Sequence, residues 1–252
     1  ITAVAKAVAQ AAMETGVARR PIIDMEAYGN ELSARLDPTA GSLQAIFEEV
    51  RAHPRRIVFA EGEEEKSIRA AVTFYNAGYG IPILLGREKK VLETMESLGL
   101  PLIDGLEIHN AKKSTSNKEY TDFLYKRLQR QGALYRDCQR MVNQERNLFA
   151  ACMVAMGDAD AMLTGLTRNY YVALEEITRV LDPLPDEHVF GLSLLLARDR
   201  TLFVADTAVH ELPKPEQLAD FAIQAASVAR RMGHEPRVAL LSFSNFGNPM
   251  LE

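Results

Sequence analysis

Val58-Phe59-Ala60-Glu61-Gly62 is an apolar stretch that runs into a turn, which is the pattern of a buried strand with a polar end. Two similar stretches follow at 160–165 and 237–247, and each passes from apolar residues into small and polar ones. In an open α/β sheet, small molecules bind in the crevice beyond the carboxyl ends of the strands. The three stretches therefore predict a ligand-facing edge.

Strand and helix patterns alternate outward from the first stretch. Predicted strands cover 56–60, 81–85, 102–108, 160–164, 189–197, 201–205 and 237–243. Predicted helices cover 2–15, 43–50, 63–77, 87–98, 118–131, 134–142, 146–156, 169–181 and 215–232. This alternation is typical of the α/β class with a parallel sheet.

Composition excludes several classes of protein. With 252 residues, 47% of them hydrophobic, the chain can bury a large core, and its net charge of −5 argues against a nucleic-acid partner. No apolar run reaches the roughly 20 residues that a membrane span needs. The two cysteines are solitary, which indicates no disulfide framework and no redox motif. We expect a cytoplasmic location.

Three motifs resemble those of phosphate acetyltransferases (phosphotransacetylases), from about Ser42 to Glu252. They are Phe59-Ala60-Glu61-Gly62-Glu63, Gly157-Asp158-Ala159-Asp160-Ala161-Met162-Leu163-Thr164-Gly165 and Val238-Ala239-Leu240-Leu241-Ser242-Phe243-Ser244. The stretch from Ala3 to Pro21 resembles the final helix of a bacterial malic enzyme. A malic-enzyme tail fused to such a domain resembles the layout of the large two-domain bacterial malic enzymes, so we expect a piece of one.

The resemblance implies a domain organisation and a fold. Residues 1–21 would form the last helix of the malic-enzyme domain, closed by Gly16, and 22–41 a linker. Residues 42–156 and 157–252 would form two phosphotransacetylase-like subdomains, the first incomplete and the second truncated. The implied fold is three-layer α/β/α and isocitrate-dehydrogenase-like, with the site in the crevice between the subdomains.

Two turns are candidate binding sites for acetyl-CoA or phosphate. The first contains Thr164, Gly165, Thr167, Arg168 and Asn169, where backbone N–H groups and hydroxyls at a helix N-terminus suit an anion. The alternative for this turn is a helix cap without a ligand. The second contains Ser242, Ser244, Asn245 and Gly247, of which the serines and the glycine match the family pattern and Asn245 departs from it. The alternative here is a strand end finished by a polar turn.

The first turn departs from the pattern of active phosphotransacetylases. Asn169-Tyr170 stands where the family has a hydroxyl pair, and Glu175-Glu176 stands where it has Arg-Pro. A carboxylate in place of a cation repels an acyl phosphate. Arg168 offers a shifted positive charge that suits binding better than turnover.

Other polar groups have weaker patterns. Glu61 and Gly62 are expected to shape the crevice, and the acids from Glu63 onward suit the first turn of a helix. Asp206 and His210 could pair. The stretch from Lys126 to Arg130 resembles a family segment that supplies an arginine to coenzyme A, although a solvated helix face explains this basic stretch equally well. No residue is assigned to catalysis and none to a metal.

The favoured hypothesis is a regulatory domain that binds acetyl-CoA as a small-molecule effector and does not turn it over. It would signal to its own malic-enzyme domain, which would hold NADP and Mg or Mn, within a homo-oligomer from a dimer up to a hexamer. The alternatives are an active phosphate acetyltransferase and a structural oligomerisation module built on helix 215–232.

Overall fold

The structure is a computed structural model that describes residues 2–25, 28–29, 31–32, 38–185, 187–197 and 200–241. The helices are α1 (Thr2–Glu14), α2 (Pro38–Ala52), α3 (Glu65–Asn76), α4 (Glu88–Ser97), α5 (Asn117–Leu128), α6 (Tyr135–Gln144), α7 (Arg146–Met156), α8 (Tyr170–Thr178) and α9 (Pro215–Arg231). The strands are β1 (Arg55–Phe59), β2 (Gly80–Leu85), β3 (Glu107–His109), β4 (Ala161–Leu163), β5 (Leu192–Ala197) and β6 (Arg200–Ala205). The predicted α/β class is confirmed.

A parallel sheet positions the first candidate turn. Its strand order is β3-β2-β1-β4, and Val58 of β1 pairs with Ile83 of β2 and with Met162 of β4. All four strands run in the same direction. Their carboxyl ends therefore lie along one edge, where the residues that follow β1, β2, β3 and β4 become neighbours.

Helices cover both faces of this sheet. Val58 and Ile83 belong to a core that includes buried residues of α5, α6 and α7, whereas Phe59 and Leu84 belong to a second core with residues of α3 and α4. Successive residues of a strand point to opposite faces, so one apolar strand serves two cores. Each fully buried large apolar side chain stabilises the fold by about 1.5–3 kcal/mol. The result is the three-layer α/β/α arrangement.

Strands β5 and β6 form a separate two-stranded sheet. They are antiparallel, with Leu194 opposite Phe203. Only two residues separate them in sequence, and a connection that short can join antiparallel strands but cannot make the crossover that parallel strands need. Helix α9 packs on β6. It buries Phe221 and leaves Ile223 exposed, so much of its apolar stripe is explained by packing on the sheet.

The predicted strand 237–243 is wrong over its described part. Residues 237–241 form no strand, and 242–243 lie outside the described residues. Val238, Leu240 and Leu241 are 57%, 63% and 83% exposed. A strand needs a neighbour to accept its hydrogen bonds, and no described strand pairs with this stretch.

Contacts divide the chain into two compact units, 48–182 and 1–47 with 183–252. The boundary predicted at 156/157 falls inside the first unit, because β4 pairs with β1. Gly16, with φ of 72°, follows α1 in the left-handed conformation that suits a helix C-terminus. The assignment of 1–21 to a malic-enzyme tail and of 22–41 to a linker stays a prediction.

Candidate functional site at the carboxyl edge of the parallel sheet

Gly62 brings the turn after β1 into close contact with β2. A Cβ atom at this position would lie 2.6 Å from the backbone nitrogen of Leu85, and the Gly62 N–H donates to the Leu85 carbonyl at 3.1 Å. The turn places a buried carboxylate on each side of the glycine, Glu61 and Glu63. Helix α3 begins at Glu65, two residues later than predicted, so neither acid belongs to its first turn.

Glu61 binds the loop that follows β4. Its carboxylate accepts hydrogen bonds from the backbone N–H groups of Gly165 at 3.0 Å, Leu166 at 2.6 Å and Thr167 at 2.6 Å. The Thr167 hydroxyl donates to the same carboxylate. Gly165 has a φ of 113°, which few other residues adopt. Burial raises the pKa of Glu61, but the hydrogen bonds from Thr167, Leu166 and Gly165 outweigh it and the pKa is lowered.

The loop after β4 therefore has the converging donors of an anion site, and an internal carboxylate uses them. Glu61 was expected to shape the crevice, and the structure shows its direct contact with Gly165 and Thr167. An external phosphate would have to displace Glu61 to reach these donors. Ligand binding at this loop stays a prediction.

The remaining polar groups of the loop form a second internal network. Thr164 donates to Asn147 Oδ1 at 2.6 Å, and Asn147 Nδ2 donates to Glu176 Oε2 at 2.8 Å. Arg168 Nη1 donates to Glu176 Oε1 at 2.6 Å, and the side chain of Glu176 is 8% exposed. The shifted positive charge expected of Arg168 is thus paired with one of the two acids that replace the family's Arg-Pro.

Asn169 caps helix α8, because its side chain accepts a hydrogen bond from the Tyr171 N–H at 3.0 Å. The capping alternative for this turn is therefore present in the structure. Ser242, Ser244, Asn245 and Gly247 lie outside the described residues. The prediction that they bind a ligand is not tested.

Glu63 is the important residue whose role the sequence pattern missed. Arg87 donates to its carboxylate through Nε at 2.9 Å, Nη2 at 3.0 Å and the backbone N–H at 2.8 Å. Lys90 Nζ lies 3.1 Å and Arg146 Nη2 3.5 Å from Oε2. The Arg87 guanidinium is the main reason that the pKa of Glu63 falls to about 2. A signal was present, because basic residues from Arg87 onward follow β2 as acids follow the adjacent β1.

Asp206 and His210 do pair, as their spacing allowed. His210 Nδ1 lies 2.8 Å from Asp206 Oδ2. The Asp206 carboxylate also accepts backbone N–H bonds from Gly191, Ala208, Val209 and His210. Burial raises the pKa of Asp206, yet the bonds from His210 and the backbone lower it to about 2. These contacts fix a loop, and they indicate a structural role.

Arg127, in the segment that resembles a coenzyme A contact of the family, has internal partners. Its guanidinium donates to both carboxylate oxygens of Asp182 and, at 2.8 Å, to the Arg179 carbonyl. Cys138 and Cys152 are buried free thiols. Among the described residues no group of His, Cys, Asp or Glu is arranged to hold a metal ion, and no helix is long and apolar enough to cross a membrane.

Comparison with known proteins gives consistent matches. The family model for phosphate acetyl/butaryl transferase matches residues 42–252. The NADP-dependent malic enzyme of Rhizobium meliloti is 56% identical over 99% of this chain and 33% of its own length. The phosphate acetyltransferase of Nitratidesulfovibrio vulgaris is 32% identical over 85% of this chain and 30% of its own length. The chain thus spans about a third of the length of these curated relatives.

Solved structures agree with the sequence matches. The EutD phosphotransacetylase from Staphylococcus aureus superposes with a TM-score of 0.73 at 25% identity, covering 84% of this chain and 64% of that one. A phosphotransacetylase from Streptococcus pyogenes gives a TM-score of 0.72, also at 25% identity, over 83% and 65%. The predicted phosphotransacetylase-like fold is confirmed.

Proposed function

The chain belongs to the phosphate acetyl/butaryl transferase family, and from that premise we propose that it is a regulatory domain that binds acetyl-CoA without transferring the acetyl group. The observation that carries the proposal is the pairing of Arg168 with the buried Glu176, one of the two acids that stand where active members of the family have Arg-Pro. Glu61, which belongs to the motif shared with the family, contacts the same loop. Its carboxylate uses four donors of the loop after β4 that would otherwise be open to a phosphate. A phosphate cannot use those donors while Glu61 holds them, whereas the binding of an effector elsewhere in the domain does not depend on them.

The charge around this loop supports the same conclusion. Arg168 is paired with the buried Glu176, and Glu175 is paired with Arg179 at 2.6 Å. A transferase must stabilise the charge that develops on an acyl phosphate with fixed donors and cations. Here the fixed groups are internally neutralised, which lowers the affinity of the loop for a second anion.

The relatives support a proposal for the whole protein. NADP-dependent malic enzymes are similar to this chain along nearly its full length, so we propose that the chain is part of one. The enzyme would convert malate to pyruvate and CO2 in the cytoplasm. NADP and Mg or Mn would bind in its malic-enzyme domain, and the whole would form a homo-oligomer.

A regulator must bind two states of the assembly with different affinity. We therefore expect acetyl-CoA to bind the less active state more tightly and to inhibit malate oxidation by the full-length enzyme. The measurement is malate-dependent reduction of NADP during titration with acetyl-CoA, with free coenzyme A titrated as the matched control. Unchanged malate kinetics together with no calorimetric binding of acetyl-CoA would refute the proposal.

An active phosphate acetyltransferase remains the second candidate, favoured by the 32% identity to the enzyme of Nitratidesulfovibrio vulgaris. It requires phosphate either to bind at other donors or to displace Glu61 from the loop. One assay distinguishes the two candidate functions. It measures the phosphate-dependent release of coenzyme A from acetyl-CoA by the folded full-length protein. The regulatory proposal expects none, and turnover that rises with phosphate concentration would establish the transferase.

A further inference from the structure

A second candidate anion site lies along the same sheet edge, on the side of β2 and β3. It is a cavity of about 470 Å³ with walls from the turns after these strands and from the junction of α6 and α7. This volume is within the range of pockets that bind small molecules. The lining includes Glu63, Arg87, Lys112, Lys113 and Arg146.

The charge of this cavity is strongly unbalanced. Among its lining residues one carboxylate, Glu63, faces four cationic side chains. Lys90 adds a further cation at 3.1 Å from the same carboxylate. Over the part of the chain that the structure describes, neither Lys112 nor Lys113 has an ion-pair partner, and Arg146 is paired with Glu63 at 3.5 Å. The cavity therefore keeps positive charge that an anion could neutralise.

Glu63 also fixes the positions of three of these cations, Arg87, Lys90 and Arg146. It holds the Arg87 guanidinium through both carboxylate oxygens, and a Cβ atom on Gly86 would lie 2.6 Å from Glu63 Cγ. Helix α4 begins directly after Arg87, so the positive end of its dipole adds to the potential. Asn143 Oδ1 accepts a bond from Asn117 at 2.7 Å, which leaves the NH2 group of Asn143 as a donor at the wall. Fixed cations bind an anion at a lower entropic cost than free ones.

The two sides of the sheet edge therefore differ. After β4, Glu61 uses the donors of the loop, and Arg168 is paired with Glu176. After β2, Glu63 gathers cations and leaves a surplus. We propose that the cavity around Glu63 binds the phosphate groups of a phosphorylated organic ligand. Its volume leaves room for more than an inorganic phosphate ion, and its cations match phosphate oxygens through charge-assisted hydrogen bonds.

The test is calorimetric titration of the full-length protein with adenosine 3′,5′-bisphosphate, a phosphorylated organic probe without an acyl thioester. The double variant Lys112→Ala with Lys113→Ala should bind it about tenfold more weakly or worse, as expected for the loss of charge-assisted contacts. The matched control is Lys66→Ala with Lys89→Ala, which removes the same charge from exposed positions outside the cavity. The control should bind the probe as the parent protein does.

Three results would overturn the inference: equal affinity of the cavity variant and its control, no binding of the bisphosphate to the parent protein, and inorganic phosphate binding as tightly as the bisphosphate. The last would indicate a simple phosphate site. The proposed function is tested separately, because a bound bisphosphate with no effect of acetyl-CoA on malate oxidation would refute regulation and leave this site standing. Unchanged unfolding temperatures of both variants establish that they are folded.

Discussion

At the scale of the residue, two acids separated by one glycine have opposite effects on their surroundings. Glu61 accepts hydrogen bonds from the loop after β4 and thereby satisfies the backbone N–H donors of that loop. Glu63 holds Arg87 and Lys90, which follow β2, and Arg146, which begins α7, and is outnumbered by them. Because their side chains leave the turn toward different neighbours, Glu61 occupies hydrogen-bond donors, whereas Glu63 gathers cations.

Replacing Glu61 with Ala should destabilise the protein and open the loop. Three N–H groups and a hydroxyl would lose their acceptor, and we expect the free energy of unfolding to fall by about 1–3 kcal/mol. Urea denaturation measures this. The control is Glu65→Gln in the same acidic run, whose partly exposed pair with Arg69 predicts a change of about 0.5 kcal/mol or less. Equal losses in the two variants would contradict the role assigned to Glu61.

Glu63 should make the free energy of unfolding depend on pH in the acidic range. Its pKa is lowered from 4.5 to about 2, chiefly by the Arg87 guanidinium. A carboxyl whose pKa is depressed on folding contributes stability above its unfolded pKa and loses it as the pH falls through the folded value. The free energy of unfolding should therefore decline as the pH drops from about 4.5 toward 2. Glu63→Gln should show a shallower decline over this interval in urea titrations at several pH values, and an identical slope would exclude the assigned contribution.

At the scale of the element, sequence patterns predicted what depends on neighbours along the chain. The alternation of β1, α3, β2 and α4 was recognisable because each strand is an apolar run and each helix has its own apolar spacing. Long-range partners could not be predicted in this way. The contact of Glu61 with Thr167 spans 106 residues. Whether residues 237–241 form a strand depends on a neighbouring strand that can pair with them, and their composition does not reveal that.

Gly62, where the turn after β1 contacts β2, should not tolerate a larger side chain. Gly62→Ala would place a Cβ atom 2.6 Å from the Leu85 nitrogen, and since that neighbour is backbone within a sheet it cannot easily move. Overpacking of this kind costs about 1–3 kcal/mol, which thermal unfolding would measure. Gly78→Asn is the control, because Gly78 has a φ of 74° with no atom near the added Cβ, and Asn tolerates that conformation. A larger loss in the control would contradict the packing argument.

At the scale of the whole molecule, the two compact units differ in how much apolar surface their described residues cover. In the unit of residues 48–182, helices bury both faces of the parallel sheet. In the other unit, Leu195 and Leu202 of the described two-stranded sheet are about half exposed, and Leu241 is 83% exposed. Burial of apolar surface is the main source of stability, so local stability should differ between the units.

Amide hydrogen exchange on this chain would measure the difference. The amides of β1 lie at the centre of a sheet with partners on both sides, and they should exchange only on global opening. Residues 238–241 have no strand partner in the described structure and should exchange fastest, with β5 and β6 between these limits. Residues 238–241 protected as strongly as Val58 would show that they pair with a strand and would refute the stability difference inferred here. Loss of that protection on dilution would locate the partner strand in a second copy of the chain.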